Sequence, residues 1–448
     1  MRRRYRIWLG AILGLLVLGA AGFAAIAWHP AIDPIDPPDP KTFAADEVAR
    51  GELLARLGDC AICHGANLAG GRGLPTPFGL IHVSNISPDP ETGIGRWSLD
   101  AFTRAMRHGI ARDGSHLYPA FPYNDFTRTQ DADLKALYAY LMTRPAVKAS
   151  TPANHLPFPL NLRPILAGWN LLYLRPGAFE PDPEKSDAWN RGAYLATGLG
   201  HCGACHSPRD ALGGEIGGDR ALTGGSAEGW HAPDLTGASR DPVPWTAADF
   251  QQYLATGYSP FHGAAAGPMQ PVVREALAHL PSEDLHALSV YLMSFSSAAP
   301  AGPVKAKLEK RVMAAGYGTA RHGDDAGGQI FAGACAACHH NGGSMPFGAT
   351  LPLLLSSTLH QPTPTNLVRL IMGGVVGDVP PARAAGVPDP QPGFMPGFAA
   401  RLDDKEISAL VRYLRNRYSK GHPWEGIDEA VAAGRKVYGR APSGETNR

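Results

Sequence analysis

The stretch that decides the fold of this 448-residue chain is Cys60-Ala61-Ile62-Cys63-His64, and it occurs three times. The copies are Cys202-Gly203-Ala204-Cys205-His206 and Cys335-Ala336-Ala337-Cys338-His339. Two thiols separated by two residues and followed by an imidazole form the pattern that attaches c-type haem. The thiols form thioether bonds to the porphyrin, and the imidazole binds the iron.

The three copies predict three covalent haems in one chain. All six cysteines of the chain lie in these motifs, so none is left for a disulfide. A paired-knuckle zinc site would need cysteine pairs about 15 to 20 residues apart, and these pairs are more than 130 residues apart. The predicted attachment residues are Cys60, Cys63, Cys202, Cys205, Cys335 and Cys338, and the predicted proximal iron ligands are His64, His206 and His339.

Length and composition agree with this prediction. A chain of this length corresponds to roughly three domains of about 150 residues each, one for each motif. The 53 glycines and 41 prolines indicate many loops. The formal net charge is only +1, so the chain lacks the overall basic field expected of a nucleic-acid-binding protein.

The N-terminus contains an apolar run that is long enough to cross a bilayer. No charged side chain occurs from Ile7 to Trp28, and four arginines precede the run. A spanning helix needs about 20 apolar residues, and the positive-inside rule keeps the arginines in the cytoplasm. Ala25-Ile26-Ala27 would also fit a signal-peptide cleavage site, but the run exceeds the roughly 7 to 15 residues of a signal core. We therefore expect a retained inner-membrane anchor, with the haem domains in the periplasm.

Each motif stands between the same two sequence features. In the first repeat, a helical pattern runs from Asp46 into Cys60, and a closing helix is predicted over 131–142. In all three repeats, a glycine-containing segment precedes the motif and a closing helix with a Tyr-Leu pair follows it. Such internal repetition indicates repeated domains, and the sequence therefore predicts a mainly α fold with three tandem class I cytochrome c domains. The leading segments contain Arg50-Gly51, Arg191-Gly192 and Gly327-Gly328, and the closing pairs are Tyr140-Leu141, Tyr291-Leu292 and Tyr413-Leu414.

The prolines and apolar residues between the repeats suggest the linkers. Because it is rich in Pro and Asp, the spacer should be extended and hold the first domain off the membrane. The apolar linker should pack on its own domains, on a partner subunit or on the membrane surface. The predicted order is a transmembrane anchor 1–29, a Pro-rich spacer 30–44, a first domain 45–148, an apolar Pro-rich linker 149–188, a second domain 189–298, a linker 299–326, a third domain 327–420 and a C-terminal tail 421–448.

Two methionines are predicted to be the sixth iron ligands in the second and third domains. Met269 precedes Tyr291 by 22 positions, and Met395 precedes Tyr413 by 18. A thioether is a common partner of histidine on haem iron and raises its reduction potential. The alternative for each is a methionine that fills a gap in the core.

The first domain has no methionine at the corresponding place. Counting back from Tyr140 by the same interval reaches a segment that contains Phe121, and a phenyl ring has no lone pair for iron. The alternatives are His116, Met106 on the preceding segment, or an open or water-bound iron. We take His116 as the candidate sixth ligand of the first haem.

These residues resemble a known family, the three-haem cytochrome c subunits of membrane-bound periplasmic dehydrogenases of Gram-negative bacteria. The segments Leu117–Tyr123 and 156–164 are similar to the members that serve molybdenum hydroxylases for aldehydes or N-heterocycles such as nicotinate and isoquinoline. The resemblance implies that the chain is a non-catalytic relay. Its partners would be a molybdopterin subunit and a [2Fe-2S] subunit, and ubiquinone or another respiratory carrier would accept the electrons.

Other functions are compatible with parts of the sequence. Members of the family that serve quinoprotein alcohol dehydrogenases or flavin sugar dehydrogenases usually have methionine in place of Phe121. A haem enzyme that binds a small ligand such as peroxide at an open first haem is a second alternative, favoured only by that missing methionine. A soluble electron shuttle is a third, and the apolar N-terminus and the apolar linker both oppose it.

Overall fold

The structure of the chain is a computed structural model, which describes residues 2–236, 241–296, 325–339, 353–375, 395–419 and 421–439. The chain divides into two compact units where the sequence predicted three domains. The first unit is Met1–Asp182 with Tyr194–Ala204 and Arg209–Glu215, and the second is Pro183–Ala193, Cys205–Pro208 and Ile216–Arg448. The expected second and third domains therefore fall largely in one unit.

The described part of the chain is mainly helical, as predicted, with three short antiparallel hairpins. The helix predicted over 131–142 is confirmed. A π-helical turn at Val272–Ala276 follows α11. The helices are α1 Arg2–Ala27, α2 Ala45–Leu57, α3 Cys60–His64, α4 Leu99–His108, α5 Tyr123–Phe126, α6 Asp131–Met142, α7 Leu166–Tyr173, α8 Asp187–Thr197, α9 Gly203–His206, α10 Ala247–Thr256, α11 Met269–Pro271, α12 Ser282–Met293, α13 Ala326–Ala334, α14 Ala336–His339, α15 Thr365–Gly373, α16 Asp404–Tyr418 and α17 Ile427–Tyr438. The strands are β1 Gly73–Thr76, β2 Gly79–His82, β3 Gly225–Ala227, β4 Trp230–Ala232, β5 Tyr258–Ser259 and β6 Gly263–Ala264.

One close helix crossing recurs in all three repeats. A β-carbon added at Gly51 of α2 would lie 2.0 Å from the carbonyl oxygen of Ala136 in α6. The same addition at Gly192 would lie 2.0 Å from the carbonyl oxygen of Ala287. At Gly327, it would lie 2.3 Å from the carbonyl oxygen of Ala409. In each repeat, the missing side chain lets the helix before the haem motif touch the backbone of the closing helix.

An ion pair reinforces this crossing in the first two repeats. Arg50 Nε lies 2.5 Å from Asp133 Oδ1, and Arg191 Nε lies 2.7 Å from Asp284 Oδ1. Asp133 is almost fully buried and also accepts a hydrogen bond from the Tyr194 hydroxyl within the first unit. The Arg-Gly pair that marks the repeat in the sequence therefore has a structural role at both positions.

The helical pattern that we expected to run from Asp46 into Cys60 is interrupted. Helix α2 ends at Leu57, and Asp59 adopts a left-handed conformation with φ 53° before α3 begins. A left-handed residue cannot continue a right-handed helix. The haem motif is therefore a separate short helix, set at its own angle to α2.

The spacer after α1 lies along the first domain. Ile32 donates a backbone hydrogen bond to Arg112 (2.8 Å), and Ile35 donates one to Arg96 (3.1 Å). The Arg104 guanidinium donates to the Pro30 carbonyl at 2.8 Å. These contacts satisfy backbone groups that an extended chain would otherwise expose to water, and they hold the segment after α1 against the first domain.

The C-terminal tail contributes to the core of the third repeat. Trp424, Ile427 and Val431 are buried in the same cluster as Ile407 and Leu410. Helix α17 packs on both α15 and α16. The apolar residues of the tail recur at helical spacing, which is typical of a helix with one buried face. The predicted boundary at residue 420 therefore separates residues that share one core.

A buried histidine lies within the second unit between two carboxylates. The His262 side chain is fully buried, with Nδ1 3.6 Å from Asp241 Oδ2 and Nε2 3.8 Å from Asp249 Oδ2. Its ring stacks on Trp245 at a centroid distance of 3.7 Å. Burial alone would lower the pKa of His262, but the two carboxylates outweigh burial and raise it. The imidazolium form is therefore the one that the fold stabilises.

We expect the stability of the second unit to fall as the pH rises through the folded pKa of His262. A raised pKa gives a contribution that is complete below the unfolded pKa of about 6.5 and is lost above the folded one. Tyr253 and His360 also interact with Asp241, so the effect of His262 must be isolated by comparison. Thermal unfolding of the full chain and of His262→Gln, followed from about pH 6 to about pH 9, should give a steeper decline for the unmodified chain. Equal slopes would contradict the prediction.

Candidate haem-binding sites

The motif helices present their thiols and imidazole on one side. In α3, the amides of Ile62 and Cys63 donate to the carbonyl oxygen of Asp59, at 3.0 and 3.4 Å. This single helical turn brings Cys60, Cys63 and His64 to the same face, because residues three and four positions apart lie above one another on a helix. The arrangement allows both thioether bonds and the iron bond to form on one side of the turn.

In the third repeat, the amides of Cys338 and His339 donate to the carbonyl oxygen of Cys335, at 3.1 and 2.8 Å. The same one-turn geometry therefore follows the helix crossing at Gly327. The segment 340–352 after this motif lies outside the described residues.

The predicted proximal histidine of the first repeat has a fixed orientation. His64 Nδ1 lies 2.6 Å from the carbonyl oxygen of Ser84 and therefore donates to it, which leaves Nε2 for iron. Burial lowers the pKa of His64 to about 4, so the imidazole is neutral. A metal-bound histidine commonly donates its other ring nitrogen to a carbonyl in this way.

The second repeat has the same hydrogen bond. His206 Nδ1 lies 2.8 Å from the carbonyl oxygen of Pro233, and burial lowers the pKa of His206. Ser84 and Pro233 each follow the hairpin of their repeat, β1–β2 and β3–β4 respectively. The hairpins thus position the carbonyl groups that orient the two imidazoles, a function that the sequence did not reveal.

These residues fit covalent haem. The carbonyl oxygens of His64 and His206 accept hydrogen bonds from Gly70 (2.8 Å) and Gly224 (2.7 Å), so each motif is held by the loop that follows it. Both glycines have positive φ, which glycine adopts at little cost. A haem bound here would supply one-electron oxidation and reduction of its iron. The chain's own residues hold the imidazoles of His64 and His206 in a fixed orientation and keep them neutral.

The structure places Met269 at the start of a short helix and Met395 in an isolated β-bridge. Met269 is half-buried and begins α11. Met395 exchanges two backbone hydrogen bonds with Val375, at 2.8 and 3.0 Å, and packs against the core of the third repeat. Their roles as sixth ligands stay predictions.

A shared hairpin register relates Phe121 to Met269. Leu117 N donates to the carbonyl oxygen of Gly109, and Ala265 N donates to that of Gly257, both at 2.7 Å. The two glycines end α4 and α10 with φ values of 63° and 70°. Phe121 lies four residues after Leu117, as Met269 lies four residues after Ala265. Phe121 and Met269 are therefore equally far along the chain from this shared hydrogen bond.

The other two candidates of the first repeat differ in their surroundings. Met106 is buried three residues before Gly109, the glycine that ends α4. Leu254 and Ile371 are buried at the corresponding positions of α10 and α15. Met106 therefore has the position of a core residue. His116 is buried, and its Nε2 donates to the Ala27 carbonyl at 3.2 Å. Its Nδ1 has no hydrogen-bond partner within the described part of the chain. His116 stays the candidate ligand.

We expect the new methionine in Phe121→Met to replace His116 as the sixth ligand of the first haem and to raise its reduction potential, because His/Met ligation raises the potential of haem iron. A redox titration of the full chain should show one of its potentials shifted upward, and the ferric spectrum should gain methionine-to-iron charge-transfer absorption. Met269→Phe is the matched control and should lower another potential. An unchanged spectrum in Phe121→Met, together with an altered one in His116→Ala, would show that histidine holds the axial position.

The fold and these sites define a c-type cytochrome. In agreement, the family model described as cytochrome c matches residues 48–145 and 325–417. The chain belongs to the family of cytochrome c subunits of dehydrogenases, because it is 37% identical to the gluconate 2-dehydrogenase cytochrome c subunit of Pantoea cypripedii over 94% of both chains.

Further relatives show the range of this family. A nicotinate dehydrogenase subunit of Pseudomonas putida is 44% identical over 96% of this chain, and the match spans 35% of that longer protein. A dihaem c-type cytochrome of Cereibacter sphaeroides is 40% identical over 57% of this chain and 88% of its own length. Cytochrome subunits of fructose and quinone alcohol dehydrogenases are also similar. The chain is an electron-transfer subunit, and its relatives serve several kinds of dehydrogenase.

Proposed function

We propose that this chain carries three c-type haems and relays electrons from a periplasmic dehydrogenase containing molybdopterin and [2Fe-2S] subunits to ubiquinone or another respiratory carrier. The partner would oxidise an aldehyde or an N-heterocycle. The chain would be held in the inner membrane by α1, with its haem domains in the periplasm. Its own residues would bind the haems and set their potentials.

The main support for the haem proposal is that the same helix crossing stands beside the motif in all three repeats. Each Cys-x-x-Cys-His motif follows a helix whose glycine touches the closing helix of its repeat. The first two proximal histidines also share the bond from Nδ1 to a loop carbonyl. An accidental match to the motif would not be expected to repeat this geometry.

The anchor is supported by length and composition. Gly10–Ala27 within α1 is long and apolar enough to span a bilayer, and arginines occupy the start of the helix. The helix ends at Ala27, where its carbonyl is bonded to His116 of the first domain. The periplasmic location follows from the positive-inside rule.

The choice of partner is supported by two observations. The first is the 44% identity to the nicotinate dehydrogenase subunit of Pseudomonas putida. The second is Phe121, which stands in the register of Met269 and is typical of the members that serve molybdenum hydroxylases. The similarity to the gluconate dehydrogenase subunit makes a flavin sugar dehydrogenase the alternative partner.

The test is to purify the complex from native membranes through a tag on this chain, and then to add substrates without oxygen. We expect molybdopterin and [2Fe-2S] subunits to copurify, and nicotinate, another N-heterocycle or an aldehyde to reduce the haems. Gluconate and ethanol are the matched control substrates. Copurified flavin or pyrroloquinoline quinone, with haem reduction by gluconate or ethanol, would show that the proposed partner is wrong.

A further inference from the structure

The linker after the first domain exposes an unusual concentration of large apolar side chains. Outside α1, nine described residues of this kind are exposed, and five of them lie between residues 158 and 172. Exposed apolar residues on a soluble surface are usually scattered, and a cluster marks an interaction site. The five are Phe158 (79% exposed), Leu171 (69%), Leu172 (55%), Leu162 (49%) and Ile165 (38%), and we call them the linker face.

The opposite side of the linker is already packed. Leu166 and Ala167 at the start of α7 are buried. The Asn170 side chain accepts a hydrogen bond from the Tyr123 hydroxyl at 2.6 Å, and Trp169 Nε1 donates to the Leu212 carbonyl at 3.2 Å. Packing on the first unit therefore explains one side of α7 and leaves the apolar linker face without an explanation.

The linker face lies next to the helix that would span the membrane. Helix α7 contacts α1. Arg163, between Leu162 and Ile165, donates to the His116 carbonyl at 2.6 Å, and His116 donates to the carbonyl of Ala27 at the end of α1. The first domain also packs closely against the residues after α1, since a β-carbon at Gly114 would lie 2.1 Å from the carbonyl oxygen of His29. If α1 spans the bilayer, its end and the linker face are at the same membrane surface.

We propose that the linker face inserts into the interface of the lipid bilayer, at the boundary between headgroups and acyl chains. The inference rests on the proposed membrane anchor α1. An apolar face of this kind is typical of segments that lie in the membrane plane, and Trp28, 73% exposed directly after α1, is of the residue type enriched at that depth. The contact with α1 favours lipid over a protein partner as the occupant. The chain thus has a second membrane attachment, which fixes the orientation of the first haem domain on the bilayer.

Nitroxide labelling of the full haem-loaded chain in lipid nanodiscs tests this proposal. If the six native cysteines are thioethers, an introduced cysteine is the reactive thiol. Labels at Phe158→Cys and Leu171→Cys report on the linker face. Leu53→Cys, on the exposed side of α2, is the aqueous reference, and Leu15→Cys reports on α1. Relaxation by oxygen, which concentrates in lipid, is compared with relaxation by a water-soluble nickel chelate.

We expect the oxygen-to-nickel ratio at positions 158 and 171 to exceed that at position 53 and to approach that at position 15. Water-like values at 158 and 171 with a lipid-like value at 15 would overturn the linker proposal and leave the anchor intact. A water-like value at 15 with lipid-like values at 158 and 171 would overturn the anchor and support the linker face. Water-like values at all three would overturn both. Protection of 158 and 171 only after the dehydrogenase partner is added would assign the face to that protein.

Discussion

We expect a chain in which Cys202 and Cys205 are both replaced by alanine to carry two covalent haems, one fewer than the three proposed for the unmodified chain. Without thiols, the second motif cannot form thioether bonds, although His206 and its hydrogen bond to Pro233 remain. The pyridine haemochrome content per chain should fall by one third. Mass spectrometry of the denatured protein should show the loss of a single haem mass.

This second motif is the most informative one to remove. The cytochrome c model matches residues 48–145 and 325–417 and leaves residues 202–206 between its two matches, and one relative has two haems by its name. The same double replacement at the first or third motif provides the matched controls, and each should also remove one haem. If the unmodified chain had two haems and loss of the second motif left both in place, the proposal of three haems would be wrong.

The one-turn geometry of the haem motifs could be predicted because its signal is local. Cys60, Cys63 and His64 lie within one helical turn, so their spacing alone implies a shared face. The closing helix over 131–142 was also predictable, because its apolar residues recur at the helical period. In both cases, neighbouring residues in the sequence contain the whole pattern.

Other features depend on contacts between distant residues and leave no periodic signal. The hydrogen bond from Ile32 to Arg112 holds the spacer on the first domain, and neither residue suggests this in the sequence. The carbonyl of Ser84 orients His64, and every residue has a carbonyl. The left-handed Asp59 that separates α2 from α3 was missed for a related reason, since aspartate in a polar segment is also compatible with a helix.

We expect Gly51→Ala to destabilise the first domain by about 3 kcal/mol, a large part of the roughly 5 to 15 kcal/mol of a typical fold. The new methyl group would lie 2.0 Å from the carbonyl oxygen of Ala136 and 2.7 Å from the Tyr140 β-carbon. The oxygen belongs to the backbone of α6 and cannot turn aside, so α2 and α6 would have to separate. Overpacking a core destabilises a protein by about 1 to 3 kcal/mol. Because the clash here is with backbone, the loss of stability should lie near the upper limit of that range.

Gly168→Ala is the matched control, because it is the same chemical change in a helix of the same unit. A β-carbon at Gly168 would meet nothing within 4 Å, and replacing glycine inside a helix with alanine gains about 0.8 to 1 kcal/mol. Hydrogen exchange followed by mass spectrometry should therefore show faster exchange in peptides from α2 and α6 for Gly51→Ala and no acceleration there for Gly168→Ala. Because α2 leads directly to the motif at Cys60, the separated helices should also disturb the first haem, which a lowered yield of fully loaded chain would reveal. Normal protection of both helices in Gly51→Ala would mean that the crossing tolerates a wider spacing, and the recurrence of glycine at Gly192 and Gly327 would then need another physical cause.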